Sequence, residues 1–130
     1  MREISFRAKR TDNGEWVEGA YVHYDDIKDN HKDDCDYIVE MHTGAYFPFC
    51  KVIPETVGQY TGLTDKNGRR IFEGDVVKFD NVLYHIVFET GCFRICKNNQ
   101  ISYTLHNLHS SLEIIGNIYD NPELTKGAGQ

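Results

Sequence analysis

Cys92, Cys96, His106 and His109 follow one another as C-x3-C-x9-H-x2-H, residue types that hold zinc through thiolate sulfur and imidazole nitrogen. The spacing departs from that of a zinc finger in the central gap and between the histidines. In "CFRIC" the two thiols fall on one face of a strand, four residues and roughly 13 Å apart, too far for one zinc with bonds of about 2.3 Å. Packed thiols are expected, with no metal site and no cofactor.

A second chemistry-bearing group lies in "QYTGLTDKNGRRIFEGDVVKFD", Gln59 to Asp80. Glu73 and Asp75 are a carboxylate pair of the kind general acid–base catalysis uses, but such pairs need a cleft and perturbed pKa values. Turn chemistry accounts for the same residues. Asp65, Asn67 and Gly68 suit a hairpin, with Asp accepting from backbone NH groups two residues on and Asn and Gly tolerating positive φ. Gly74 relieves a strained backbone and Asp75 caps exposed NH groups, leaving Glu73 as part of the same turn. No catalytic residue is assigned.

Asp25, Asp29 and Asp36 are hard oxygen donors in an aspartate-rich stretch, which lacks the sixth-position glycine and closing glutamate of a calcium-binding EF-hand loop. None of the six histidines joins a serine or cysteine and an acid at a recognisable triad spacing. His85, inside an apolar strand, is expected to pack with a satisfied ring nitrogen. No phosphate loop is present, because "TGLTDKNGRR" lacks the closing Lys-Ser and a following helix. Lys66, Arg69 and Arg70 beside Tyr60 and Phe72 are a candidate binding group, for phosphates and stacked bases or for a protein partner. A net charge of −6 opposes nonspecific attachment to phosphate backbones.

The elements that must carry these residues read as mainly β. Aromatics make up 12% of the 130 residues and are spread along the chain, which favours strands over a helical bundle. "REISFRAKR", an Asn13-Gly14 turn and "EWVEGAYVHY" make a first hairpin, with Gly19 marking a bulge. Residues 25–36 read as an exposed acidic loop. Short strands broken by Thr43-Gly44, Pro48 and Pro54 follow. From residue 56 an antiparallel meander runs to 121, with turns at Thr90-Gly91 and "KNNQ" and a helical turn at "HNLHSSLE". Residues 122–130 read as a flexible tail. The expected architecture is an N-terminal β lobe, 1–55, and a meander, 56–121, folding into an SH3-like or half-open barrel. "EGDVVKF" and "YHIVFE" look like the turn and strands of such barrels. No apolar run reaches the roughly 20 residues of a membrane span and no signal peptide precedes the fold, so the expected location is cytoplasmic with reduced thiols.

"GEWVEGAYV", "IPETVGQYTGLTDKNGRRIFEGDVVKF" and "IIGNIYDNPEL" together resemble the YopX family of phage and prophage proteins. The resemblance covers both ends and the centre, while residues 25–50 and 80–111 follow it only in pattern. It implies a small β-rich phage protein in the cytoplasm of a bacterial host, and it brings no catalytic residues. It implies no established biochemical function; that family context, together with the missing catalytic constellation, favours a noncatalytic accessory module that binds a protein partner or itself as a homo-oligomer. A nucleic-acid-binding SH3-like barrel is the alternative, and a metal-dependent enzyme a third.

Overall fold

The computed structural model describes residues 3–23, 36–40, 49–97 and 101–128. The aspartate stretch before Asp36, the Thr43-Gly44 break and the Asn98–Gln100 part of the "KNNQ" turn lie outside them. The strands form two antiparallel sheets, and the chain divides into two compact units, Met1–Gln59 and Tyr60–Gln130.

In the first unit β1 (Phe6–Lys9) pairs with β2 (Trp16–His23) in the register Ala8↔Val17, which sends the apolar residues of both strands to one side. Their turn uses Gly14 at φ 72, and Asn13 Oδ1 accepts from Glu15 N at 2.9 Å. From Ala20 onwards β2 pairs with β3 (Asp36–Val39), which pairs with β4 (Phe49–Lys51). Gly19 stands where β2 changes partner. It is not a bulge: it keeps regular register with Phe6, and a Cβ there would lie 2.1 Å from the carbonyl oxygen of Val39. The glycine is required by close backbone approach. Beyond β4, Arg10 and Val52 form one bridge, Thr11 N donates to Lys51 O, and Ile53 N donates to Lys9 O. A 3-10 turn at Pro54–Thr56 leads to β5 (Gly58–Thr64), whose first two residues pair with β1. Ala8, Val17, Ile38, Cys50 and Val52 form the core.

In the second unit the later part of β5 pairs with β6 (Arg70–Phe72). A five-stranded meander has the order β10-β9-β8-β7-β11, from β7 (Asp75–Phe79), β8 (Val82–Glu89), β9 (Cys92–Lys97), β10 (Ile101–Thr104) and β11 (Glu113–Asn117). Two tight turns set it. Asp80 and Asn81 have φ of 52 and 64, and Thr90 and Gly91 have φ of 51 and 80, the left-handed pairs that match strand twist in two-residue hairpins. Among the described residues β10 and β11 remain the ends of the order, so this sheet does not close into a barrel. Ile71, Val77, Tyr84, Ile86, Ile95, Leu105, Leu112 and Ile114 make the core. Leu105 and Leu112 come from α1 (Leu105–Leu108) and the end of the 3-10 turn after it, which the sequence reads as one helical turn. Pro122–Ala128, within the segment read as a tail, is helix α2, with Pro at its start and Asn121 O accepting from Leu124 N at 3.0 Å.

Candidate functional site

Asp65 is 4% exposed, and its carboxylate is surrounded by backbone donors. Oδ1 accepts from Asn67 N and Arg69 N, each at 2.9 Å, and Oδ2 from Ile114 N at 3.0 Å. The turn itself closes through Asp65 N to Arg69 O (2.8 Å), with Gly68 at φ 81. Burial alone pushes this carboxyl up. The amides of Ile114, Arg69 and Asn67, helped by the Arg69 charge, outweigh burial and hold it below its ordinary value. Asp65 therefore joins its own turn to β11.

Asp75 is 2% exposed and accepts from Phe72 N at 2.7 Å through Oδ2, across the turn in which Gly74 has φ 93. The carboxylates of Asp65 and Asp75 thus both serve backbone amides. Glu73 is half-buried between β6 and β7.

Of the candidate binding residues, the fold brings three together. The Arg70 guanidinium lies 4.2 Å from the Tyr60 ring centroid and 5.5 Å from that of Phe72, and the two rings are 5.5 Å apart. Phe72 is 3% exposed, so the group is a packed cation–π cluster with its deepest ring inside the unit. The other two turn towards β11. Lys66 Nζ sits 3.4 Å from Glu113 Oε2, and Arg69 Nη1 donates to Ile114 O at 3.2 Å.

The zinc-type residues do not converge. Cys92 and Cys96 are both in β9, with Cys96 buried opposite His85. Arg94 Nη1 lies 3.6 Å from Cys92 Sγ. His109 Nδ1 donates to Thr64 O at 2.8 Å, and His106 is exposed on α1. Among the described residues no group of three His, Cys, Asp or Glu side chains has metal-binding geometry. His85 is half-buried, and burial lowers its imidazole pKa against a smaller opposite pull from Glu89. No hydrogen bond to its ring occurs among the described residues.

One polar cluster has no counterpart in the sequence reading. Asp36, there the last residue of the aspartate loop, is the first residue of β3 and only 5% exposed. Tyr21 OH donates to its Oδ1, and His23 Nδ1 is 2.9 Å from the same oxygen. Burial, the bond to Asp36 and the Asp36 charge push the Tyr21 phenol up to about 12. The signal that separates Asp36 from the other aspartates is the β-type run "YIV" directly after it.

The outer parts of both units carry large exposed apolar side chains: Phe49 on β4, Phe88 at the end of β8, Tyr103 on β10 and Ile115 on β11. Phe88 meets Phe93 edge-on at 5.0 Å, and Tyr103 meets Tyr84 likewise at 6.2 Å.

Comparison with known proteins agrees with this β architecture. The chain is similar to a solved structure described as the crystal structure of protein EF1440 from Enterococcus faecalis, with a TM-score of 0.57 at 24% identity. The match covers 96% of this chain and 99% of the other, and at that identity it speaks for the fold alone. No curated protein matches. No helix among the described residues is long and apolar enough to cross a membrane. The family model described as YopX protein matches residues 5–126, and the chain belongs to the YopX family.

Proposed function

We propose that the chain is a noncatalytic accessory protein of phage or prophage, acting in the host cytoplasm by binding protein, as a homo-oligomer or with a partner. The observation that carries this reading is the placing of exposed apolar bulk on outer strands and at a hairpin end: Phe49 is 65% exposed, Phe88 52% and Tyr103 45%. Strand edges of this kind pair with added strands, and exposed aromatics are the residues that anchor protein interfaces. The central polar residues support the same reading from the other side. Asp65 and Asp75 are committed to backbone amides, which gives them a structural task.

Nucleic acid has weaker support, since Lys66 faces Glu113 and Arg69 is bound to a backbone carbonyl. A mobility shift with DNA or RNA at low salt, weakened by Arg70→Ala, would favour it. The test of the main reading is solution mass over a range of concentrations, joined to capture of partners from host lysate by the tagged protein. A self-assembled species or one saturable, identified partner is expected. A strict monomer that captures nothing overturns it.

A further inference from the structure

Where two copies of this chain would meet is constrained by charge. The chain has 20 Asp and Glu residues against 14 Lys and Arg, so two copies carry the same net negative charge. Thr90 to Leu112 contains no aspartate or glutamate at all. That stretch holds β9, β10 and α1, and β10 is an outermost strand of its sheet.

β10 is short, four residues, but among the described residues it has neither a bulge nor a proline along its edge. It pairs with β9 in unbroken register from Ile101↔Lys97 to Thr104↔Arg94. Its own sequence, "ISYT", has no charge, proline or glycine. No backbone hydrogen bond from the described residues reaches its outer side. The opposite end of the sheet differs. β11 has a register shift between Ile114 and Gly116, and α2 follows it with Leu124 against Gly116. β4, in the first unit, is bonded at Lys51 O by Thr11 N. Tyr103 adds an apolar anchor, 45% exposed and held edge-on to Tyr84.

We infer that β10 is a self-association edge: it pairs antiparallel with β10 of a second copy about a two-fold axis, continuing the meander across the dimer. An isologous contact puts the carboxylate-free stretch against itself, with its cations Arg94 and Lys97 on β9, one strand in from the edge. Tyr103 is on the same sheet face in both copies and packs beside its twin. The inference rests on the binding function proposed above and names the second copy as occupant and β10 as the place.

The experiment is sedimentation equilibrium of the wild type, Tyr103→Lys, Tyr103→Phe and Phe49→Lys, with hydrogen exchange of the wild type at low and high concentration. A dimer is expected whose dissociation constant rises by about tenfold or more in Tyr103→Lys, as like charges meet across the new ladder. Tyr103→Phe and Phe49→Lys stay dimeric, and amides of residues 101–104 gain protection as concentration rises. A wild type that is monomeric throughout overturns the inference, but leaves the binding function standing if a partner is captured. A dimer that survives Tyr103→Lys, with 101–104 exchanging independently of concentration, also overturns it. Should Tyr103→Lys fail to fold by circular dichroism, the exchange measurement decides alone.

Discussion

Asp65→Ala is the substitution for which the structure dictates the largest effect of any polar residue in the central segment. It removes one acceptor group and leaves three backbone donors. The amides of Asn67 and Arg69 belong to exposed residues that water reaches, whereas Ile114 is 7% exposed. A buried donor left unsatisfied costs about 1–3 kcal/mol, and the two wetter amides add less, so a loss of about 2–4 kcal/mol is expected. Asp65→Asn keeps an oxygen for the turn amides but sets a donor against Ile114 N, giving a smaller loss. The pH dependence has a definite sign. The folded carboxyl titrates below its unfolded value, which is about 3.9. Its contribution is therefore fully present above pH of about 4 and is lost as pH falls through the folded value. Urea unfolding followed by far-UV circular dichroism at pH 6 and again near pH 3 measures both quantities. The only tryptophan, Trp16, lies in the other unit, so its fluorescence is the wrong probe. The reasoning fails if Asp65→Ala unfolds within about 1 kcal/mol of wild type at pH 6, below the range for a stranded donor. It also fails if the gap between wild type and Asp65→Asn widens as pH falls.

Other perturbations test separate parts of the fold. Gly19→Ala places a methyl group 2.1 Å from a backbone oxygen that cannot swing away, so Trp16 fluorescence should report a first unit destabilised by more than the roughly 1–3 kcal/mol of ordinary overpacking. Gly74→Ala, at φ 93 and 3.0 Å from Tyr119 Cε2, is expected to cost about 1–2 kcal/mol in urea unfolding of the second unit. Leu112→Ala, at a side chain that is 0% exposed, should cost about 2–5 kcal/mol by the same measurement. Ultraviolet titration of the phenols should show a component near pH 12 that disappears in Tyr21→Phe. An unchanged high-pH component in that variant would remove the Tyr21–Asp36 bond from the account.

What the sequence made legible is short-range. Asp65, two residues before Asn67 and three before Gly68, has the spacing at which a side chain replaces a missing backbone partner, and Thr90-Gly91 lies between two alternating runs. The second oxygen of Asp65 is different. Its donor, Ile114, is 49 residues away, and only the placing of β11 beside β7 brings it there. The role of Asp36 is long-range in the same way: the run "YIV" after it marks a strand, but its partners Tyr21 and His23 lie across the β2–β3 pairing, which no local pattern specifies. Helix α2 had a local signal, Pro122 followed by Glu123, outweighed in the reading by a glycine-containing end with little apolar surface. Consecutive antiparallel strands suit a barrel, but closure depends on whether the two outermost strands find each other, a long-range property again.

That difference in range bears on function. A catalytic site announces itself through residue types with few other uses, and of these Asp65, Asp75 and His109 serve backbone amides or a carbonyl here. An association edge announces itself through what is missing. Neither "ISYT" nor the surrounding stretch from Thr90 to Leu112 contains a carboxylate, in a chain that otherwise has many, and an outermost strand without charge is a surface most proteins avoid leaving open. The missing charge acquires meaning only once β10 is known to end its sheet, because the same four residues in a central strand would be unremarkable. Topology converts an uneventful piece of sequence into the place where a second copy can add a strand.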